Sequence, residues 1–191
     1  MNINEIFYSL QGEGARAGEA SVFVRLSGCD LACGFCDTEF ESGKEMSDDE
    51  ILKEVLATGA KWVTWTGGEP MLQLKESTVQ KFRAAGLMQS IETNGHHRVP
   101  FEVDWLVCSP KVAEHVVKKN HPNGVDELRY AWHKNKKSVP KPAVPSKTYF
   151  LSPLCDGETV DQENIRHCIQ LCLDNPQWRL SIQQHKLWKI L

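Results

Sequence analysis

Stretches rich in β-branched and aromatic residues recur along the chain, separated by polar and glycine-containing segments. Segments 3–10 and 21–27 are of this kind, with Gly12, Gly14 and Gly18 marking turns between them, and predict two early strands around a loop. The same pattern places strands at 62–66, 87–92, 105–109, 125–132, 148–151 and 179–183. Helical spacing takes over between some of them. Ser47-Asp48-Asp49-Glu50 has the form of a capping box, and Ile51, Leu52, Val55 and Leu56 then recur on one face until Gly59 ends the run, which predicts a helix over 47–58. Further helices are predicted over about 75–85, closed by Gly86, and over 161–173. Strands separated by crossovers imply a parallel sheet. Three long helices are too few for an eightfold barrel, so the expected fold is α/β, an open partial (β/α) barrel of roughly β6/α3 with modified helix content.

The segment 133–147 breaks both rhythms. It holds five lysines and three prolines and is expected to be a solvated, mobile loop; it lacks the interleaved aromatics of a single-strand nucleic-acid site. Length and charge narrow the class further. A chain of 191 residues suits a single domain over 1–191, and a formal charge of -3 gives no reason to expect nucleic acid or an anionic membrane as partner. No apolar run approaches the roughly 20 residues of a membrane span, and the first residues lack the basic and apolar stretches of an export signal. Seven cysteines, three of them within eight positions, do not resemble a secreted disulfide framework, so the expected location is the reducing cytoplasm.

Those three are Cys29, Cys33 and Cys36, set in a loop that Gly28 and Gly34 allow to wrap. Three thiolates can hold three irons of a 4Fe-4S cluster and leave the fourth open to a small ligand; the alternative is a zinc site completed by a distant His or Cys. The C-x-x-x-C-x-x-C spacing, with Phe35 before the third cysteine, resembles the signature of the radical S-adenosylmethionine (SAM) superfamily. Thr66-Gly67-Gly68-Glu69-Pro70, which by itself is only a tight turn after a strand, resembles that superfamily's second element, where glycine backbone and the glutamate meet the methionine ammonium. Cys168 and Cys172 sit four apart on an apolar helix face and are expected to be core packing, while Cys108 and Cys155 suggest no partner.

Motifs at both ends of the chain are similar to those of the 7-carboxy-7-deazaguanine synthase family. They are Ile3 to Gly14 with its Gln11-Gly12-Glu13-Gly14, Phe23 to Cys29, Cys36-Asp37-Thr38, and Arg179 to Lys186. The resemblance implies ring contraction of 6-carboxy-5,6,7,8-tetrahydropterin with loss of ammonia, using the 4Fe-4S cluster, SAM and Mg2+. It implies pterin contacts from Leu10, Gln11, Gly12, Glu13, Gly14, Thr66, Gln184 and His185, and a clamp on the substrate carboxylate from Arg25. Cofactor contacts would come from Phe35, Gly67, Gly68, Glu69, Glu92, Thr93, Asn94, Ser109 and Lys111. Thr38 would be the magnesium ligand, with Asp37 hydrogen-bonded to the metal's waters. A flavodoxin- or ferredoxin-type electron donor and a homodimer are implied in the same way. On the residues alone, each of these has a plainer reading as a turn, a cap or a solvent-facing charge. The rival assignments are an activase of glycyl-radical enzymes or of anaerobic ribonucleotide reductase, and a zinc-binding module. The span from Cys36 to Gly67 is brief for the family, with room for one helix, and the Lys/Pro-rich loop has no counterpart there.

Overall fold

The computed structural model describes residues 1–36, 38–155, 157, 159 and 161–190. β1 (Asn2–Leu10) and β2 (Ala20–Leu26) form an antiparallel hairpin in which Phe7 stands opposite Phe23, their rings stacked 5.0 Å apart. A two-residue strand β3 (Lys44–Glu45) flanks β1. Six more strands follow side by side, all parallel to β2: β4 (Trp62–Gly67), β5 (Met88–Thr93), β6 (Trp105–Cys108), β7 (Val125–Trp132), β8 (Ser146–Pro153) and β9 (Trp178–Leu180). The order is β3-β1-β2-β4-β5-β6-β7-β8-β9. β3 and β9 are its two ends, so the barrel is open, as expected.

Helices α1 (Asp48–Ala57), α2 (Glu76–Ala84), α3 (Glu114–Asn120) and α4 (Gln162–Asp174) serve as crossovers, and α5 (Gln184–Trp188) follows the last strand. The capping box forms as predicted: Ser47 Oγ accepts from Glu50 N, and the Glu50 carboxylate accepts from Ser47 N at 2.8 Å. Asp161 caps α4 by accepting from Glu163 N and Asn164 N. Each cap is worth about 1 kcal/mol.

Alternation along the strands separates two faces. Val22, Val24, Leu26, Val63, Trp65 and Ile91 pack against Ile51 and Val55 of α1 and Val79 and Phe82 of α2. Leu128, Tyr130, Leu151 and Trp178 pack with Val117 of α3 and Cys168 and Leu171 of α4 in a second cluster. The intervening positions Arg25, Thr64, Thr66, Ser90, Glu92, Glu127 and Arg129 fall on the other face. The sheet therefore carries a greasy outer layer under helices and a polar interior.

Several expectations change. α3 was not anticipated, because seven residues with one buried position, Val117, carry too little periodicity. β9 begins one residue earlier and ends three earlier than the predicted strand, because Trp178 fills the second core while the chain turns after Leu180 into the loop before α5. The Lys/Pro-rich segment exposes its lysines but is not simply solvated: Val144 is buried and Val139 packs beside it. Its backbone is tied down as well, since Lys134 N donates to Asn164 and Ala143 N donates to Glu114. β8 starts at Ser146, inside that segment. Among the described residues no helix is long and apolar enough to cross a membrane.

Candidate active site

The loops that follow the parallel strands meet at one end of the barrel, where such sheets place their reactive groups. After β2, Cys29, Cys33 and Cys36 all line a cavity of about 210 Å³. Burial pushes the Cys29 thiol up, so its thiolate form is favoured only with a cationic partner.

The glycine turn after β4 is laced to this loop. Gly68 N donates to Leu26 O and Glu69 N to Gly28 O, both at 2.9 Å. A Cβ on Gly68 would lie 1.8 Å from Gly28 O, so the two backbones touch with no room for a side chain. Gly67 and Gly68 line the cavity, but the Glu69 carboxylate does not. It is fully buried and accepts from Thr93 Oγ1 (2.9 Å), Met71 N (3.1 Å) and Asn94 N (2.8 Å). Burial raises its pKa against these donors. Glu69 thus holds the end of β5 in place, and Thr93 spends its hydroxyl on it.

Asn94 behaves differently. Its Oδ1 accepts from His96 N, while its Nδ2 is buried, has no partner among the described residues, and belongs to a residue lining the cavity. Such an orphan donor marks a place for a ligand acceptor. Ser109 and Lys111 complete that wall, with Lys111 Nζ 5.2 Å from the Phe35 ring. Burial, then Arg129, lowers the Lys111 pKa.

A second hollow, also of about 210 Å³, adjoins the first: Glu13, Thr38, Thr66 and Glu92 line both. Its own walls are Phe7, Leu10, Gln11, Phe23, Arg25 and His185. Arg25 lies on an inner strand of the sheet, not on an edge, with its guanidinium 5.3 Å from the Phe7 ring. Its Nε is buried, makes no hydrogen bond among the described residues, and stands 3.5 Å from Glu5 Oε2. His185 is brought back from the far end of the chain: Gln184 N donates to Gly12 O, and a Cβ on Gly12 would strike His185 Nδ1 at 2.3 Å. Gly12, Gly14 and Gln184 line neither hollow and act as supports. Gly14 has φ +71° and would drive a side chain into Glu127. Asp37 lies outside the described residues.

The residue that ties the floor of the site together escaped the sequence reading. Arg129, buried on β7, faces Glu92 at 2.5 Å, Glu13 at 3.0 Å and Glu127 at 3.6 Å. Burial opposes its charge, but the three carboxylates outweigh that and hold its pKa above the ordinary value. Gln11 is drawn into the same network, its Nε2 donating to Glu92 (2.9 Å) and its Oε1 accepting from Glu13 N (3.1 Å). The alternation of Glu127 and Arg129 with apolar Leu128 and Tyr130 was the available signal.

Three comparisons bear on this geometry. Residues 23–129 match the Radical SAM superfamily. The 7-carboxy-7-deazaguanine synthase of Bacteroides thetaiotaomicron is 40% identical over 185 residues, spanning 97% of this chain and 96% of that one. The protein of the same name from Burkholderia multivorans is 38% identical, with 98% of each chain covered. The crystal structure of QueE from Escherichia coli superposes with a TM-score of 0.76 at 24% identity, covering 96% of this chain and 94% of that one, and so shares the fold.

Proposed function

The chain belongs to the 7-carboxy-7-deazaguanine synthase family of the Radical SAM superfamily, and on that premise we propose how its two adjoining hollows divide the work. It is a radical SAM enzyme, a lyase that contracts 6-carboxy-5,6,7,8-tetrahydropterin to 7-carboxy-7-deazaguanine with loss of ammonia, on the route to queuosine and related deazapurines. When bound, the 4Fe-4S cluster and SAM would supply the radical hydrogen-abstraction chemistry that the ring contraction needs.

Cys29, Cys33 and Cys36 hold the cluster, and Gly67, Gly68, Asn94, Ser109 and Lys111 form the cofactor's bed. Arg25 takes the substrate carboxylate through its guanidinium, whose Nε makes no hydrogen bond among the described residues, and Glu13 offers its carboxylate to the N–H groups of the pterin rim. His185 and Leu10 close the outer side against water. Thr38 lies where the hollows meet and holds Mg2+ beside the substrate carboxylate, a site that needs few protein ligands because Mg2+ keeps its waters. A low-potential flavodoxin- or ferredoxin-type protein delivers the electron, and the chain works as a homodimer in the cytoplasm.

The observation that carries this reading is the shared wall. Of these two hollows the cysteines line only the first, Arg25 and His185 only the second, and Glu13, Thr38, Thr66 and Glu92 face both. A substrate in the second hollow would thus lie against a cofactor in the first. An activase would have to admit a polypeptide loop where His185 packs on Gly12.

The test is anaerobic reconstitution with iron and sulfide, followed by reductant, SAM, Mg2+ and 6-carboxytetrahydropterin, with products separated by liquid chromatography and mass detection. Carboxydeazaguanine is the expected product, and its yield falls without Mg2+. Formation of 5′-deoxyadenosine with the pterin untouched would overturn the substrate assignment.

A further inference from the structure

Outside both hollows, the cysteine loop and the loop after β5 meet through three side chains. Asp30 Oδ2 lies 2.5 Å from His96 Nδ1 and 2.8 Å from His97 Nε2, and the three atoms fall within 4.8 Å of one another. The imidazoles are partly exposed, with side chains 43% and 34% accessible, so water or an ion can reach them. Their backbone is fixed from behind: Asn120, at the end of α3, donates to His96 O at 2.6 Å and to Gly95 O at 3.3 Å. His96 N is anchored to Asn94 Oδ1 at 2.8 Å.

We propose that Asp30, His96 and His97 form an accessory site for a borderline divalent transition ion of the zinc class. Two imidazole nitrogens and one carboxylate oxygen are the donor set that zinc, nickel, cobalt and ferrous ions prefer, and that magnesium and calcium do not. Ligands of a tetrahedral zinc ion stand about 3.4 Å apart at metal–ligand distances near 2.1 Å. The observed contacts therefore need to open by less than about 1 Å to admit the ion, a movement that partly exposed side chains can make. Three protein ligands leave a position for water, and the histidines are sequence neighbours that turn different ring nitrogens, Nδ1 of His96 and Nε2 of His97, toward Asp30. The ion would cross-link the loop that carries Cys29 and Cys33 to the loop that carries Asn94, clamping the two banks of the cofactor cavity.

The test uses the cluster-loaded protein with SAM bound. Zn2+ is titrated in calorimetrically under anaerobic conditions while iron content is followed. The expected result is one equivalent of zinc bound with iron unchanged. Affinity should fall at least tenfold in His96→Ala and in His97→Ala, and should be unaffected in His115→Ala, an exposed histidine elsewhere. Crystals of the wild-type protein soaked in Zn2+ and measured at the zinc edge supply a readout that does not depend on the variants folding. An anomalous peak bonded to the three side chains supports the site. No saturable binding, binding that survives both substitutions, or a zinc peak only at the cysteines would overturn it.

Discussion

Arg129 donates to Glu92 across 2.5 Å inside the barrel, and through that contact the floor of both hollows hangs on one guanidinium. Glu13, Glu92 and Glu127 crowd around it, and without it three carboxylates would share a poorly hydrated interior. Removing one partner of a buried ion pair costs about 3–5 kcal/mol, because the remaining charge is stranded. Arg129→Met should therefore lose stability of that order in urea denaturation and lose turnover with it. Arg129→Lys keeps the charge but cannot reach three acceptors with a planar fork, and should fall between the two.

At Gly68 the limit is steric. An added Cβ would lie 1.8 Å from a backbone oxygen, which cannot rotate away as a side chain could. Gly68→Ala must push the glycine turn off the cysteine loop by an ångström or more. Misplacement on that scale costs on the order of 100-fold in rate. The variant should keep its secondary structure by circular dichroism and lose 5′-deoxyadenosine formation by about that factor.

How far the chain discloses this in advance depends on whether the information is local. The capping box at Ser47 and Glu50, the bounds of β7 and the cysteine spacing are local, and each appears in the structure where the sequence places it. Arg129 is not local. Inside a strand it has the look of a solvent-facing charge until the strand pairs on both sides and its alternate face becomes the barrel's interior. Glu69 shows the opposite failure. Its motif marks the place, yet the carboxylate turns away from the cavity to serve Thr93, Asn94 and Met71, a choice set by donors 24 and 25 residues away. Two hydrogen-bonded anchors, buried Val144 and half-buried Val139 likewise hold the Lys/Pro-rich segment, where composition alone suggested mobility.

Arg25 separates binding of substrate from chemistry on the cofactor. It lines only the second hollow, so its loss should spare the cluster and SAM. A charge-assisted contact to a carboxylate is worth about 1.5–3 kcal/mol. Arg25→Ala should lower kcat/KM for the pterin by roughly 10- to 150-fold, mostly through KM, with iron content unchanged. A variant that instead lost its iron would place Arg25 in cluster support.

Cys168 and Cys33 should part company. Burial pushes the Cys168 thiol up to about 12, and its side chain is sealed in the second core. It should resist iodoacetamide at pH 8 in the folded protein, because the thiolate is the reactive form. Cys168→Ala should cost on the order of 1 kcal/mol of stability and leave the iron stoichiometry intact. Cys33→Ala should abolish cluster and turnover together. Iron analysis and urea midpoints on the two variants check both.

The buried carboxylates also set a pH signature. Burial raises the Glu127 pKa above its ordinary 4.5, with Arg129 and the Ala15 N–H only partly opposing. The native state then keeps a proton over a window in which the unfolded chain has already lost it. Stability from this group is complete below about pH 4.5 and declines as pH rises from there to the native value, above which it is constant. Glu127→Gln removes the titration yet leaves an amide oxygen to accept from Ala15 N and Trp105 Nε1, which donate to the carboxylate at 2.9 and 3.3 Å. The variant should therefore gain on the wild type as pH rises through that window and hold a constant difference beyond it. Urea denaturation of both proteins between pH 4 and 8 measures this. A difference that stays flat would mean that Arg129 cancels the effect of burial on Glu127, and one that moves in favour of the wild type would mean that Arg129 outweighs it.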